Sequence, residues 1–375
     1  MLSFWEKNSL ISYHHIIIGA GITGLSTACE LKERFPHQSV LVLERGILPS
    51  GASTKNAGFA CIGSLSEKVA DAKLMGKEKL IQLVTDRYEG LQLLRKRLGD
   101  EAIGFESYGG YELIFHEQEK NFLHQLEEVN TWFRPYFKKD LFSMQPHKIN
   151  GFGFDENKVE TLVCNEVEGQ VDTGRMMANL WSYAQQLDIK IICGAEVTQI
   201  DERSEAVHVA LNNMEFMAQK IYVCTNAFTQ TLFPYIDLKP GRGMVLATAP
   251  IPDLKVKGIF FFDDGYYYFK NFEQRIIFGG GRNLDMKGEE TTHFGLNPKI
   301  QAQLHQFLKE VILPNTPYTI EHEWSGIMAF GSDKTLCLKK ISDRQFMGVR
   351  LNGMGVALGS KLAADLVDLS LTSAI

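Results

Sequence analysis

The 375 residues exceed what one hydrophobic core ordinarily organises, so two lobes are expected; 45% hydrophobic and 22% charged residues describe a globular rather than a disordered chain. A formal net charge of −6 carries no basic bias, which sets nucleic acid aside as a main partner, and no window approaches the roughly eighteen consecutive apolar residues that span a bilayer. Six scattered cysteines without a Cys-x-x-Cys pair read as reduced thiols, the histidines show no metal-ligand spacing, and the start lacks a basic-then-apolar leader, so a cytoplasmic protein without a metal is expected.

The first predicted elements carry the strongest motif. Residues His15–Ala28 read His-Ile-Ile-Ile-Gly-Ala-Gly-Ile-Thr-Gly-Leu-Ser-Thr-Ala: a buried strand, a glycine turn, and a helix with Leu25, Ala28 and Leu31 on one face that stops at Arg34-Phe35-Pro36. The next strand, Val40–Leu43, ends at Glu44. Gly19 would make the tight turn, Gly21 would let the backbone approach a pyrophosphate, and Gly24 would let the helix pack on the strand. The helix N-terminus offers N–H groups to phosphate, and Glu44 offers a carboxylate to ribose hydroxyls. This is the pattern of a dinucleotide site, and it leaves open which dinucleotide.

A regular series of strand-helix units does not follow. The chain enters a loop, Pro49–Gly58, then a mostly helical stretch from about Lys73 to Leu98, a strand at Gly110–Phe115 and a helix from Gln118 to about Phe133. The nucleotide lobe resumes near Asp172–Arg175 with a helix through Met176–Leu187, a strand at Ile189–Cys193, another at Val197–Ile200, and a third at Lys220–Cys224 leading to Thr225-Asn226-Ala227. A second departure opens with Met244–Thr248 and two hairpins. The first joins Ile259–Phe262 to Tyr266–Phe269 across Asp263-Asp264-Gly265, and the second reaches Arg275–Phe278 across Lys270–Gln274. The chain returns with Gln345–Arg350, a glycine turn at Asn352–Gly355 and a last helix through Leu369. The expected fold is α/β: residues 1–70, 150–235 and 321–375 form a nucleotide-binding domain, and 71–149 and 236–320 an antiparallel-sheet α+β lobe covering it.

An ordered set of motifs resembles the flavoprotein oxidoreductase family that includes D-amino acid oxidase, glycine oxidase and monomeric sarcosine oxidase. It comprises Gly19–Gly24 with Glu44, Gly51-Ala52-Ser53 with Asn56-Ala57-Gly58, Gly169–Asp172 before a helix, the Val197 strand, Gly241-Arg242-Gly243, Trp324-Ser325-Gly326, and Asn352–Val356. The resemblance covers nearly the whole chain. It implies FAD as cofactor, held by a Rossmann-like domain of the glutathione-reductase type interleaved with the substrate domain. It places the adenosine end on Glu44 and Val197, with Arg45, Thr225 and Asn226 nearby, and the pyrophosphate on Gly19, Ala20, Gly21, Ile22, Thr23 and Gly24. The flavin falls between Ser53, Thr54, Lys55, Asn56, Ala57 and Gly58 on one side and Gly326, Arg350, Asn352, Gly353, Met354, Gly355 and Val356 on the other. A helix starting near Gly355 would aim N–H groups where a reduced flavin builds negative charge.

Two departures bear on the substrate. Members that hold an amino-acid carboxylate often carry an arginine shortly after the tryptophan-x-glycine motif, where this chain has Met328; sarcosine-type relatives carry a lysine in the strand that here reads Ile276-Ile277-Phe278. Arg242, Arg282 and Lys55 are the available cations, Lys55 serving either an anionic substrate, oxygen, the cofactor phosphates or solvent. Tyr267, on a strand where relatives often carry a substrate-facing tyrosine, joins Lys55 and Arg242 as a catalytic candidate. The expected reaction is oxidation of the C–N bond of a small amine or N-substituted amino acid by hydride transfer to flavin N5, giving an imine that water hydrolyses, with oxygen or another carrier as electron acceptor. Two alternatives stand beside it: a flavin dehydrogenase for a hydroxy acid or amine using an acceptor other than oxygen, and an FAD-binding protein without catalysis.

Overall fold

The computed structural model describes residues 3–116 and 122–372. In chain order, the elements that position the site begin with β1 (Ser12–Ile18), α1 (Ile22–Arg34), β2 (Val40–Glu44), α2 (Leu65–Met75), α3 (Lys77–Leu98) and β3 (Gly110–Phe115). They continue with β4 (Val159–Asn165), α4 (Thr173–Gln186), β5 (Lys190–Cys193), β6 (Glu215–Val223), β7 (Lys239–Thr248) and β8 (Ile259–Phe262). The last are β9 (Tyr267–Phe272), β10 (Arg275–Gly280), β11 (Ile320–Phe330), β12 (Gln345–Val349) and α5 (Gly355–Leu371).

The first sheet grows around β1. Ile16, Ile17 and Ile18 are buried whichever face they point to, as a central parallel strand covered on both sides requires. β1 pairs in parallel with β2 (Ile17↔Val42) and with β6 (Ile17↔Tyr222), and β6 pairs in parallel with β12 (Tyr222↔Phe346). The order runs from Cys337–Lys340 through β12, β6, β1 and β2 to β5, with an antiparallel ribbon, Val197–Glu202 and Val207–Leu211, attached to β6. Leu25 and Ala28 of α1 share one core with Leu91 and Leu94 of α3, Leu180 of α4 and Leu366 of α5. Gly90 of α3 is the point of closest approach, where a Cβ would collide with the Ala357 carbonyl of α5.

The second sheet runs β11-β7-β10-β9-β8-β3-β4 and ends on Phe142–Met144. It is antiparallel except where β8 meets β3. Its core is aromatic: Phe260 stacks on Phe269 with ring centroids 4.8 Å apart, and Phe262 on Tyr267 at 4.9 Å. This is the α/β fold expected, with a parallel Rossmann-like sheet and a second sheet woven through it.

Several boundaries differ from expectation for identifiable reasons. Helix begins at Leu65, because Ser64 caps it by accepting from Glu67 N–H at 3.3 Å, and breaks at Gly76, whose φ is +85°. The helix expected from Gln118 is described as Phe122–Phe137, and Gln118 itself lies outside the described residues. The turn between β9 and β10 is confined to Glu273-Gln274, since Lys270 and Asn271 remain in the ladder opposite Ile277 and Ile276. β6 starts at Glu215 and β7 at Lys239, each prolonged by a ladder with a neighbouring strand. The strands also cross the expected lobe limits. β4 (Val159–Asn165) belongs to the second sheet although it lies past residue 149; β11 does so although it runs past 320; and α3 packs on α5 of the nucleotide side. Among the described residues no helix is long and apolar enough to cross a membrane.

Candidate active site and dinucleotide cleft

The glycine turn between β1 and α1 is shaped by steric demand. Gly19 has φ +104°, and a Cβ there would stand 2.9 Å from the Cys224 carbonyl oxygen; one on Gly24 would run into the Gly19 carbonyl. At Gly21 a Cβ would come within 2.9 Å of Ser53 Oγ, which accepts a hydrogen bond from the Ile22 N–H at 2.9 Å. Glu44, buried at the tip of β2, accepts from Ala20 N–H at 2.9 Å and Gly46 N–H at 3.0 Å. Both carboxylate oxygens keep a further lone pair for a ligand hydroxyl. Arg45 lies 3.5 Å over the Phe228 ring.

From this turn a cavity of about 620 Å³ runs between the two sheets, within the size range of cofactor and ligand sites. Ile22, Thr23, Glu44, Arg45, Val197, Thr225 and Asn226 border one end; Ser53, Lys55, Asn56, Ala57, Gly326, Asn352, Gly353, Met354, Gly355 and Val356 border the middle. The Ser53–Gly58 loop is held in shape by Asn56, whose amide donates to the Ser53 carbonyl at 2.7 Å and accepts from Gly58 N–H at 2.9 Å and Thr173 Oγ at 2.9 Å. Trp324 Nε1–H donates to the Lys55 carbonyl at 3.0 Å, which brings β11 against this loop. Of the expected cofactor contacts, Ala20, Gly24, Thr54, Gly58 and Arg350 do not border the cavity. Ala20 instead orients Glu44 and Gly24 packs on the turn, while Thr54 Oγ donates to the Pro49 carbonyl at 2.7 Å. Arg350 is held by Asp237 at 2.7 Å and Asp333 at 3.2 Å.

The far end of the cavity corrects two catalytic candidates. Strand alternation turns Gly243 and Val245 of β7 to the cavity and Arg242 away from it, where Arg242 forms a two-pronged bridge to Glu289 (2.7 and 2.8 Å). Tyr267 likewise points into the aromatic core, 2% exposed, while its neighbours Tyr266 and Tyr268 border the cavity. Arg282 borders it as well, its guanidinium 3.9 Å over the Phe330 ring. It has no carboxylate partner among the described residues, and desolvation pulls its pKa below the usual arginine value. Tyr268 stands beside it without a hydrogen-bond partner for its hydroxyl among the described residues; burial raises that hydroxyl to about 12, so it remains a donor. Met328 borders the cavity, at the position that the resemblance gives to an arginine in carboxylate-binding members, and Cys61 does so within an apolar cluster of Phe59, Phe261, Tyr268 and Met354. Burial pushes the Cys61 thiol well up, which keeps it protonated and inert.

Sequence reasoning passed over one residue, Lys270. Lys270 is 3% exposed and donates to the Val171 carbonyl at 2.7 Å, tying β9 to the loop residue whose N–H bonds the Gly58 carbonyl; desolvation lowers its ammonium to about 8. Its position in an apolar strand was the available signal. Among the described residues no cluster of His, Cys, Asp or Glu could hold a metal ion.

A parallel sheet with a glycine turn at a helix N-terminus, an acid at the tip of the second strand and a cavity leading beneath a covering sheet define a dinucleotide-dependent oxidoreductase. The family model of FAD-dependent oxidoreductases of the DAO type matches residues 14–369, and the chain belongs to that family, with FAD as its cofactor. The backbone-lined turn that no Cβ could enter and the free lone pairs of Glu44 fit the pyrophosphate and ribose of FAD. Among solved structures, L-proline dehydrogenase from P. horikoshii is similar with a TM-score of 0.78 at 17% identity, over 96% of this chain and 93% of that one. Glycine oxidase from Geobacillus kaustophilus gives 0.75 at 19% identity over 96% and 95%, and L-amino acid deaminase from Proteus vulgaris 0.76 at 14% over 96% and 94%. A comparison with curated protein sequences gave no match.

Proposed function

We propose that the protein oxidises the C–N bond of a small amino acid or N-substituted amino acid to an imine that water then hydrolyses. FAD, when bound, supplies the hydride acceptor. The observation that carries this reading is Arg282, a desolvated guanidinium bordering the cavity with no carboxylate of its own. A substrate carboxylate would complete it with charge-assisted hydrogen bonds, and the Tyr268 hydroxyl would add a second donor. Phe261, Met328 and Met354 exclude water around the reacting carbon and favour the neutral amine, whose lone pair must be free for the C–N bond to gain double-bond character. Lys55 borders the cavity as a second cation, available to the carboxylate or to oxygen.

A second reading, a dehydrogenase with an acceptor other than oxygen, is favoured by the tripeptide Ile276-Ile277-Phe278, none of whose three side chains is a cation. One experiment serves both. The holoenzyme is scanned anaerobically for flavin bleaching against amines, N-methyl amino acids and hydroxy acids, and air is then admitted. Bleaching by carboxylate-bearing amines is expected; bleaching confined to compounds without a carboxylate, or none at all, overturns the proposal. Recovery in air marks an oxidase, and persistence a dehydrogenase.

A further inference from the structure

Arg282 is held at the cavity in a way that leaves its donors unused. Its backbone is fixed, since it opens the turn Arg282–Asp285, which Asn283 ties to the hairpin between β8 and β9 by donating to Asp263 at 3.0 Å. Its side chain makes no hydrogen bond among the described residues and lies instead over the face of Phe330, 3.9 Å from guanidinium carbon to ring centroid. The carboxylates whose charge reaches it, Glu289 and Glu290, are answered by Arg242 at 2.7 Å and by Lys239 at 3.3 Å.

The seat for the Phe330 ring is cut out of β7. Along β11, Gly326, Met328 and Phe330 face the cavity, while Ile327 and Ala329 enter the core of the first sheet. On the neighbouring strand Gly241 stands opposite Met328, and Gly243 opposite Gly326. A Cβ on Gly241 would overlap the Phe330 ring and stand 3.2 Å from Arg282 Nη1; one on Gly243 would stand 2.7 Å from the Met328 methyl. Neither glycine has a positive φ, so the demand there is for space and not for backbone freedom. Glycine weakens a strand interior, and two of them on one face mark a place where other groups must approach closely.

An aromatic face suits a cation that has to bind something else. All five guanidinium N–H groups lie in one plane, and a ring stacked against that plane attracts the charge without taking a donor. A carboxylate partner takes two, as Glu289 does from Arg242. We propose that Phe330 is a positioning residue for substrate recognition: its ring holds the Arg282 guanidinium flat, with the N–H edge open to the substrate carboxylate, and Gly241 supplies the room for the pair. This rests on the reading of Arg282 as the carboxylate site. Phe330 acts through Arg282 and not on the reacting bond.

The test titrates butanoate and butanamide, alike in shape and different in charge, into the holoenzyme and reads each Kd from the perturbation of flavin absorbance. The wild type is expected to favour butanoate at least tenfold. Phe330→Leu, which keeps an apolar side chain and removes the ring face, should reduce that ratio by about fivefold or more, the worth of a cation–π contact at a partly desolvated site. Phe330→Tyr, which keeps the face, should hold the ratio within about twofold. Gly241→Ala, which displaces the ring without altering its chemistry, should lower the ratio as Phe330→Leu does, and it decides the matter if Phe330→Leu fails to fold. A ratio unchanged in Phe330→Leu or Gly241→Ala, or one that falls as far in Phe330→Tyr as in Phe330→Leu, overturns the inference and leaves the reading of Arg282 intact. A wild type with no preference for butanoate overturns both.

Discussion

Arg242 and Arg282 show how much a side chain's neighbours decide. Both are arginines on the second lobe, yet one is neutralised by a buried glutamate and the other faces a cavity uncompensated. Arg282→Met should raise KM for a carboxylate-bearing substrate roughly 10- to 100-fold, the worth of a charge-assisted hydrogen bond of about 1.5–3 kcal/mol, and leave FAD content unchanged. Arg242→Met should leave KM near its original value and cost about 3–5 kcal/mol of stability, because Glu289, 1% exposed, loses its counter-charge. Steady-state kinetics and denaturant melts on the two variants distinguish the roles, and interchanged outcomes would reverse the assignment. The sequence offered both arginines as candidates but could not rank them, since Glu289 lies far along the chain. Tyr267 failed for a related reason: alternation along β9 separates it from Tyr266 and Tyr268, but which parity faces inward depends on Phe262, Phe278 and Phe307 closing around it.

Elements were more legible than side chains. β1, α1 and β2 follow from their apolar periods and from Gly19, Gly21 and Gly24, because local sterics and period determine them. Strand ends were less visible, as at β6 and β7, where a partner strand distant in sequence extends the ladder. Lys270 in β9 gives an element-scale prediction. Desolvation lowers its ammonium from the ordinary lysine value of 10.5 to about 8 in the folded protein, so between those pH values the unfolded chain holds more protons than the native one. Stability should accordingly rise as pH goes from 8 to 10.5 by an amount up to about 3 kcal/mol from this group. Lys270→Met should flatten that rise in urea melts at pH 8 and 10, and an unchanged slope would show that the group does not titrate in this window.

Across the whole molecule, the two sheets are separate in space and interleaved in sequence. The interleaving of two sheets was readable from glycine turns and hairpin signals, whereas the assignment of β4, β11 and α3 was not, because nothing local in those segments says which sheet or helix they will meet. The cleft that fits FAD is lined by segments drawn from both ends of the chain, so FAD binding should stabilise the entire fold. At a free concentration of about 100 times its Kd the gain expected is about 2.7 kcal/mol, visible as a melting temperature that climbs with the logarithm of added FAD. A melting temperature indifferent to FAD would mean that the cofactor is either absent or retained after unfolding.

The register of the first sheet also orders events during synthesis. Ile17 must wait for Tyr222 to emerge from the ribosome before its second neighbour exists, and Tyr222 must wait in turn for Phe346. The motif that greets the cofactor is thus made first and becomes usable last. Nascent chains that stop short of the Asn352–Val356 turn should carry no flavin colour, so cofactor retention would report that translation had run past that turn.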